Sequence, residues 1–485
     1  MTCSGPMPRG RYGKWLRRTC GPSQFGCCPD ARFAGNARPV RRVQYTPARV
    51  VLVRLFPAGK MGLTVDIVAH DAPDAVGGPY VWISRFPLEV QKLGFKVRIR
   101  LLGWQNLSDG VVYQALKRNG LEFTAANYRD TETNMRWLLS AMQEQPPNIF
   151  VPNLSVPAFY AGKYLKQSGI PTVGILRSDD PFYAGITDRF VCGSCDYRVS
   201  AIVCVSEYLK YKVIERKPRA VEVRKIPSGT PVPQAIAQPP RETLRIAYVG
   251  RLVEQQKRIS ETARALARAT REIPGVEAVL FGDGPARPQV EQVLAQEGAP
   301  AVRIAGRVSG EEIQKFLLDC HVIALLSDYE GTPMAVMEAM ACGCVPVCLR
   351  IRSGVPELVE EGVTGLLVED RAEGFVNAIR RLRCESGLWD RLARAARARI
   401  EGSYSIRACA AQWAELLRHL HAASGPQRPI RIPKRFRLPP IHPGLACEDF
   451  RSPPPPPLYL RLYRRARKTV APLKRHLLRA KETRT

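Results

Sequence analysis

The 485-residue sequence lacks the features that mark several common protein classes. No apolar run approaches the roughly 18 residues that a membrane-spanning helix requires, and the first thirty residues contain no apolar signal core. The 14 cysteines have no regular spacing, and the CxxC pair of Cys192 and Cys195 has no second pair at zinc-site spacing. These absences argue against a transmembrane protein, a disulfide framework and a metal site. We expect a cytoplasmic protein that is soluble or peripheral.

Acidic residues are scarce as well, with 44 Asp and Glu against 73 Lys and Arg and a formal net charge of +29. The excess lies at the two ends. Residues 1–60 hold twelve Arg and Lys against one acid, and residues 425–485 hold sixteen against three. Only +5 is left for residues 61–424. The body is nearly balanced, and nucleic acid is an unlikely partner because no recognition or base-stacking motif accompanies the basic ends.

Apolar strands alternate with helices along two stretches of the chain. The pattern predicts strands at 64–70, 96–102, 148–152, 172–176, 201–205 and 222–226, and again at 244–250, 277–282, 301–305, 321–326 and 344–348. This alternation is typical of parallel sheets that helices cover on both faces. We therefore predict an α/β fold with two Rossmann-like, doubly wound domains that face each other across a ligand-binding cleft.

Segments rich in Pro and Gly set the predicted boundaries. They are a disordered or non-native extension at 1–60, an N-terminal acceptor domain at 61–235, a C-terminal donor domain at 241–424, a Pro-rich linker at 425–457 and a basic amphipathic tail at 458–485. Met61 directly precedes a clean strand, so it is either the true start or the end of a disordered arm. Apolar residues recur every three or four positions within 458–480, which fits a helix on anionic lipid or a solvated one.

The densest cluster of candidate functional residues is Glu330-Gly-Thr-Pro-Met-Ala-Val-Met-Glu338. It follows a predicted strand and leads into a helix, and Pro333 suits the first helical turn. Free backbone N–H groups at such a helix start form an anion site suited to a diphosphate. Eight residues of helix span roughly 12 Å, so one glutamate can hold a sugar and the other a ribose. Alone, the pair would be typical of an N-terminal charge and an exposed helix residue.

Two cations follow the first strand of the same domain. Arg251 directly follows Gly250 and Lys257 comes six residues after Arg251, so both can reach a diphosphate at the strand ends. Fixed cations stabilise the negative charge on a departing diphosphate and can replace a metal ion. Without further context, they would be ordinary solvated surface residues.

The motifs occur in a fixed order along the second domain. They are Gly250-Arg251 with Lys257, Phe281-Gly-Asp-Gly-Pro285, Glu330 to Glu338, Ala341-Cys-Gly343, Pro346-Val347, Ser353-Gly-Val-Pro-Glu357 and Glu361-Gly-Val-Thr-Gly365. In this order the chain resembles the retaining GT-B glycosyltransferases of family 4. The resemblance is strong over 244–385 and weaker over 64–235.

The resemblance implies a donor site and a metal-independent reaction. Its residues would be Gly77, Gly78, Gly250, Arg251, Lys257, Glu330, Gly331, Thr332, Pro333, Met334 and Glu338. Arg251 and Lys257 would hold the diphosphate and, with Glu330 on the donor sugar, form the catalytic group. Glu338 would bind the ribose. A UDP- or GDP-sugar would be the co-substrate, with no cofactor and no metal.

The chain departs from the family at three places, of which the mildest is Ser228-Gly229 where the family has Asn-Gly after the domain-ending strand. A His is common after the strand at 172–176, but Arg177 stands there, and Arg258 follows Lys257 where Gly is usual. Arg177, Asp179 and Asp180 are therefore the acceptor-side candidates.

Three functions follow from these features. The first is a hexosyl-type transferase that acts on a glycan or lipid-linked acceptor in cell-surface polysaccharide or glycolipid synthesis. It could lie on the inner face of the plasma membrane through 458–480. The second is a nucleotide-sugar-binding protein without turnover, for which Arg177 is the motive. The third, less favoured, is a nucleic-acid-binding protein that uses its basic tails.

Overall fold

The computed structural model describes residues 62–71, 77–104, 106–310 and 312–451. The extension 1–60, Met61 and the predicted tail helix 458–480 lie outside the described residues. Within the described ranges, no helix combines the length and the apolar character needed to cross a membrane.

The N-terminal domain is built on parallel strands. They are β1 (Thr64–Asp71), β2 (Lys96–Gly103), β3 (Glu122–Asn127), β4 (Ile149–Val151), β5 (Val173–Leu176), β6 (Ala201–Cys204) and β7 (Glu222–Lys225). The first group has the order β3-β2-β1-β4, and the second has the order β5-β6-β7. A bridge between Phe150 and Thr172 connects them. Nearly all residues of β1, β2 and β5 are buried because helices cover both faces of a parallel sheet, and the charged Asp66 of β1 pairs with the two arginines of β2.

The C-terminal domain has a second parallel sheet. Its strands are β8 (Leu244–Val249), β9 (Val276–Phe281), β10 (Val302–Gly306), β11 (Val322–Leu325), β12 (Val345–Leu349) and β13 (Leu366–Val368). Their order is β10-β9-β8-β11-β12-β13, so the direction of winding reverses between β8 and β11. A parallel sheet opens a crevice at the carboxyl ends of its strands at such a reversal. The candidate donor residues follow these two strands.

The strands predicted from the sequence are all present, but the pattern does not predict β3 or β13. β3 lies at the edge of its sheet, and its side chains are exposed or half-buried, so it has no continuous apolar run. β13 spans three residues, which is too short for a periodic signal.

Helices cover both sheets. Those of the N-terminal half are α1 (Gly78–Lys92), α2 (Val111–Arg118), α3 (Thr131–Glu144), α4 (Val156–Gln167), α5 (Pro181–Ile186) and α6 (Glu207–Glu215). Those that follow are α7 (Glu254–Lys257), α8 (Ile259–Glu272), α9 (Arg287–Gln296), α10 (Ile313–Leu317), α11 (Met334–Ala341), α12 (Val355–Leu358), α13 (Glu373–Cys384), α14 (Leu388–Arg399) and α15 (Ile406–Ala422). The side chains of Asp130, Ser155 and Ser206 cap α3, α4 and α6 by accepting backbone hydrogen bonds.

The last α-helix among the described residues, α15, packs on the N-terminal domain although it follows the C-terminal domain in sequence. The ring of Trp413 lies 5.3 Å from that of Phe86 and 6.1 Å from that of Trp82, both on α1. The guanidinium of Arg418 stacks over Phe95 at 4.9 Å. The sequence pattern places this helix in the domain 241–424. An apolar helix face predicts that the helix is buried, but it does not indicate which surface the helix packs against.

Residues 425–451, which we call the C-terminal strap, also lie against the N-terminal domain. Ile430 and Leu445 are buried, and Thr131 donates a hydrogen bond of 2.9 Å to the buried carboxylate of Asp449. The sequence predicts an extended linker over 425–457. The frequent prolines disfavour regular helix and sheet, but apolar side chains between them pack in extended form on the neighbouring domain.

Candidate functional site

The carboxyl ends of the two sheets meet at a cavity of about 470 Å³. Its lining includes Gly77, Gly78, Arg177, Asp180, Gly250, Arg251, Lys257, Glu330, Gly331, Thr332, Pro333, Met334 and Glu338. The fold thus brings together the predicted site residues from separate segments of the sequence, apart from Asp179. The volume is that of a site for a small molecule or cofactor.

An ion pair forms one wall of this cavity. Glu330 lies in the loop after β11, and Lys257 is the last residue of α7. The Lys257 Nζ is 2.5 Å from the Glu330 Oε1, and the two side chains are only 14% and 9% exposed. Burial excludes water that would screen the pair, so each group holds the other in a fixed position. The wall therefore presents a cation and a hydrogen-bond acceptor side by side.

The helix that follows this wall starts at the cavity. Pro333 has a ψ of 113°, which is extended, so α11 begins at Met334. The prediction that Pro333 forms part of the first turn is wrong by one residue, because its backbone has not yet turned into the helix. Across the cavity, a Cβ atom added to Gly78 would stand 2.7 Å from the Met334 Cγ. Only glycine permits this approach without displacing the methionine.

The loop after β8 carries the second cation. Arg251 is exposed to the cavity, and its Nη2 is 3.4 Å from the Gln256 side-chain oxygen. Arg258, which replaces the usual glycine, has a φ of 46°. A left-handed backbone at this position explains why glycine would be favoured there. The Arg258 side chain also contacts Asp328 at 3.4 Å.

Sequence reasoning misses Arg85, which contacts the cavity-lining residue Glu338. It projects from α1, and its Nη1 is 2.7 Å from the Oε1 of Glu338 on α11. The same guanidinium donates a hydrogen bond to the carbonyl of Gly310. Burial raises the pKa of Glu338, and the charge of Arg85 opposes that rise. No short-range pattern signals this pair, because it joins two domains.

The two acidic acceptor-side candidates have different surroundings. Asp179 accepts a hydrogen bond of 2.7 Å from the Tyr208 hydroxyl and pairs with Lys212, so its carboxylate is directed to α6. Asp180 lines the cavity, while one of its oxygens accepts the Tyr183 backbone N–H at 3.0 Å. The structure therefore leaves Asp180 at the site and places Asp179 in a structural network.

Arg177 stands at the floor of the cavity on the side of the N-terminal domain. Its guanidinium stacks on the ring of Trp82 at 4.3 Å and donates hydrogen bonds to the side chains of Ser228 and Asn153. Burial lowers the pKa of this guanidinium to about 10, which leaves it charged at neutral pH.

Charged groups in the lining are mainly positive. The cations are Arg118, Arg177, Arg251, Lys257 and Arg307, and the acids are Asp180, Glu330 and Glu338. An excess of cations in a recessed cavity attracts an anionic ligand. In the part of the chain that the structure describes, no group of three or more His, Cys, Asp or Glu side chains is arranged to hold a metal ion.

Comparison with known proteins gives a consistent result. Residues 243–384 match the family model described as "Glycosyl transferases group 1". The chain is 30% identical over 177 residues to alpha-D-kanosaminyltransferase of Streptomyces kanamyceticus, which covers 36% of this chain and 45% of the relative. It is 32% identical over 188 residues to the amylovoran biosynthesis glycosyltransferase AmsK of Erwinia amylovora, which covers 37% and 46%. The chain thus spans about half the length of these curated relatives.

The crystal structure of HepE from Anabaena in complex with UDP superposes with a TM-score of 0.60. That comparison has 18% sequence identity and covers 74% of this chain and all of HepE. HepE has also been solved with UDP-glucose. Together with the two facing α/β domains, these comparisons confirm the predicted fold class: the chain adopts the GT-B fold, with a segment similar to group 1 glycosyl transferases in its C-terminal domain.

Proposed function

We propose that this protein is a retaining, hexosyl-type glycosyltransferase of family 4 that uses a UDP- or GDP-sugar and needs no metal. The observation that carries the proposal is the cavity wall in which Lys257, Glu330 and the start of α11 meet beside Arg251. The likeness of 243–384 to group 1 glycosyl transferases supports the same activity. The partial coverage of the relatives leaves the acceptor and the sugar to experiment.

Each part of the donor has a matching group in this wall. Arg251 and Lys257 bind the diphosphate, and the backbone around Thr332 and Met334 adds N–H groups at the start of α11. Glu330 accepts hydrogen bonds from the sugar hydroxyls. Glu338 accepts those of the ribose once its contact with Arg85 is shared or released.

The resemblance to retaining GT-B glycosyltransferases implies a front-face transfer step, which these cations would assist. The acceptor hydroxyl attacks the anomeric carbon on the face from which the diphosphate departs. The bond from that carbon to the phosphate oxygen breaks, and the hydroxyl proton passes to the departing phosphate. Arg251 and Lys257 stabilise the charge that develops on the diphosphate, which lowers the barrier without a metal ion. This route needs no carboxylate nucleophile of the kind that retaining hydrolases use.

The biological acceptor is a glycan or a lipid-linked glycan of cell-surface polysaccharide or glycolipid synthesis. The name of the Erwinia relative, which refers to amylovoran biosynthesis, supports this assignment. Such an enzyme would act in the cytoplasm, on the inner face of the plasma membrane if the basic segment 458–480 binds anionic lipid.

The test is nucleotide binding by the full-length chain. Thermal stability is measured with UDP, GDP, ADP and TDP, first with EDTA and then with Mg²⁺, for wild type and Arg251→Ala. We expect one nucleotide to raise the melting temperature without metal, and the shift to shrink strongly in the variant. The matched control is Arg394→Ala, which removes an exposed arginine of α14 outside the cavity lining and should leave the shift unchanged.

The outcomes separate the competing functions. A nucleotide shift without sugar transfer or donor hydrolysis would favour a binding protein without turnover, for which Arg177 at the usual His place is the specific reason. No shift with any nucleotide would reject the glycosyltransferase proposal.

A further inference from the structure

The half-buried Arg177 differs in its partners from the buried arginines of its domain. Arg98 and Arg100 both pair with Asp66, at 2.6 and 2.8 Å. Among the described residues, Arg177 forms no ion pair, and its hydrogen-bond acceptors are the neutral side chains of Ser228 at 3.1 Å and Asn153 at 3.3 Å. Taking a guanidinium out of water without a counter-charge is costly, so a bound anion would stabilise it.

The surroundings leave hydrogen-bonding capacity for that anion. The Nε of Arg177 and the Oγ of the adjacent Ser178 are buried, and neither has a hydrogen-bond partner among the described residues. Both residues line the cavity. The ring of Trp82 fixes the plane of the guanidinium at 4.3 Å. A planar guanidinium held in this way is suited to a carboxylate or phosphate, whose paired oxygens match its fork of N–H groups.

The position of Arg177 separates it from the cations assigned to the diphosphate. Arg251 and Lys257 belong to the C-terminal wall, whereas Arg177 directly follows β5 in the N-terminal wall. A Cβ atom added to Gly331 would meet the Arg177 carbonyl oxygen at 1.8 Å, so the main chain of Arg177 touches the segment next to Glu330. Under the proposed function, in which Glu330 binds the donor sugar, this places Arg177 next to the sugar.

We propose, on the basis of the proposed function, that Arg177, Ser178 and Ser228 bind a carboxylate or phosphate group that is separate from the donor diphosphate. The group belongs either to the transferred sugar or to the acceptor. The protein is thus selective for a substrate that carries a second negative charge at the reacting end.

The first arm of the test compares two donors that differ by one charge. Calorimetry gives the dissociation constants of UDP-glucose and UDP-glucuronic acid for the full-length wild type, Arg177→Met and Arg251→Met. If the transferred sugar carries the anion, wild type binds the glucuronate donor about tenfold more tightly, which is the effect of one added charge-assisted contact. That ratio falls to one in Arg177→Met. It stays unchanged in Arg251→Met, although both donors then bind less tightly.

The second arm tests the acceptor as the source of the anion. Inorganic phosphate is titrated into the protein saturated with UDP, so that the diphosphate site is occupied. If the acceptor carries the anion, wild type binds phosphate under these conditions, Arg177→Met binds it at least about tenfold more weakly, and the two donors bind equally. The proposal is overturned if Arg177→Met changes neither the donor ratio nor phosphate binding. A wild type that does not bind UDP would instead reject the proposed function.

A purely structural role for Arg177 predicts a different result. In that case Arg177→Met would lower the urea midpoint and weaken both donors by the same factor. Arg177→Lys keeps the charge but loses the fork, so we expect it to retain part of the preference for the anion. If Arg177→Met fails to fold, Arg177→Lys replaces it in both arms. Weaker binding of the anion by a folded Arg177→Lys than by wild type then supports the site. Equal binding by both would overturn it.

Discussion

The two walls of the cavity are assembled in different ways. The C-terminal wall comes from loops that directly follow β8 and β11 within one domain, and its main ion pair joins Lys257 to Glu330. The N-terminal wall rests on α1 and β5, and these depend on α15 and the C-terminal strap from the far end of the chain. The C-terminal wall is therefore a local structure, whereas the N-terminal wall depends on long-range packing. Because the proposed function assigns the donor to the first and the acceptor to the second, we call them the donor wall and the acceptor wall.

This difference has a functional consequence. Under the proposed function, the C-terminal wall supplies the diphosphate and ribose contacts, and a short ordered motif is enough to provide them. The acceptor wall is shaped by packing between distant segments, and it can change without any change in that motif. Arg177 lines this second wall, and Arg85 on α1 pairs with Glu338 of the C-terminal domain; the motif predicts neither contact.

The largest effect is expected from a substitution in α15, which tests whether this helix supports the acceptor wall. Trp413→Ala removes a fully buried ring that packs on Phe86, and we expect the free energy of unfolding to fall by about 3–5 kcal/mol. Urea unfolding followed by circular dichroism measures the change. Trp389→Ala on α14 is the matched control, since that ring is buried in the C-terminal domain.

We expect the two tryptophan variants to act on different domains. UDP should raise the melting temperature of Trp413→Ala as it does for wild type. It should raise that of Trp389→Ala less, because this substitution disturbs the packing of the C-terminal domain. A Trp413→Ala variant with the midpoint of wild type would contradict the packing of α15 on α1.

The next effect concerns the donor wall. Lys257→Ala removes a cation and leaves the buried Glu330 carboxylate without its partner. We expect kcat to fall by about 100-fold or more, because one fixed charge at the leaving group is lost. Steady-state transfer assays measure the change, with Lys315→Ala on α10 as a control outside the cavity lining. A variant with full kcat would remove Lys257 from the catalytic group.

A smaller effect is expected at the contact between the two walls. Arg85→Ala leaves Glu338 buried without a counter-charge, so its pKa rises further. A protonated Glu338 is a poorer acceptor for ribose hydroxyls, and UDP should bind about tenfold more weakly near neutral pH. The loss should grow as the pH falls toward 5.5 and shrink toward pH 8. Arg85→Lys is the control that keeps the charge. If the UDP affinity of Arg85→Ala shows no such pH dependence, Glu338 does not bind the ribose.

The residues of the donor wall could be predicted from the sequence, whereas the contacts that build the acceptor wall could not, and the reason is physical. Glu330, Lys257 and Arg251 follow strands whose apolar runs are unmistakable, and strand ends meet at one edge of a parallel sheet. Arg85 sits in an ordinary amphipathic helix, and only the closure of the two domains brings it to Glu338. The strap has no helical or strand periodicity of apolar residues, because individual apolar side chains between its prolines pack on the neighbouring domain. Contacts of this kind are set by the completed fold.

The smallest expected effect tests the strap through its pH dependence. Burial raises the pKa of Glu448 to about 7, although its hydrogen bond with Tyr128 acts in the opposite direction. The neighbouring His70 stays neutral at these pH values because burial lowers its pKa to about 4. Since the folded state holds the Glu448 proton more tightly than the unfolded state, this residue contributes stability at low pH that is lost as the pH rises from about 4.5 to about 7.

Glu448→Gln should remove this pH-dependent contribution. Between pH 5 and pH 8, the unfolding free energy of wild type should fall relative to that of the variant by roughly 1–2 kcal/mol. Urea unfolding at both pH values measures the difference, and Glu415→Gln on α15 is an exposed control with no expected change. Parallel pH profiles for wild type and Glu448→Gln would mean that the strap leaves this carboxyl in water. The acceptor wall would then depend on α15 alone. The burial of Leu445 and Asp449 argues for the opposite result, in which the strap also supports this wall.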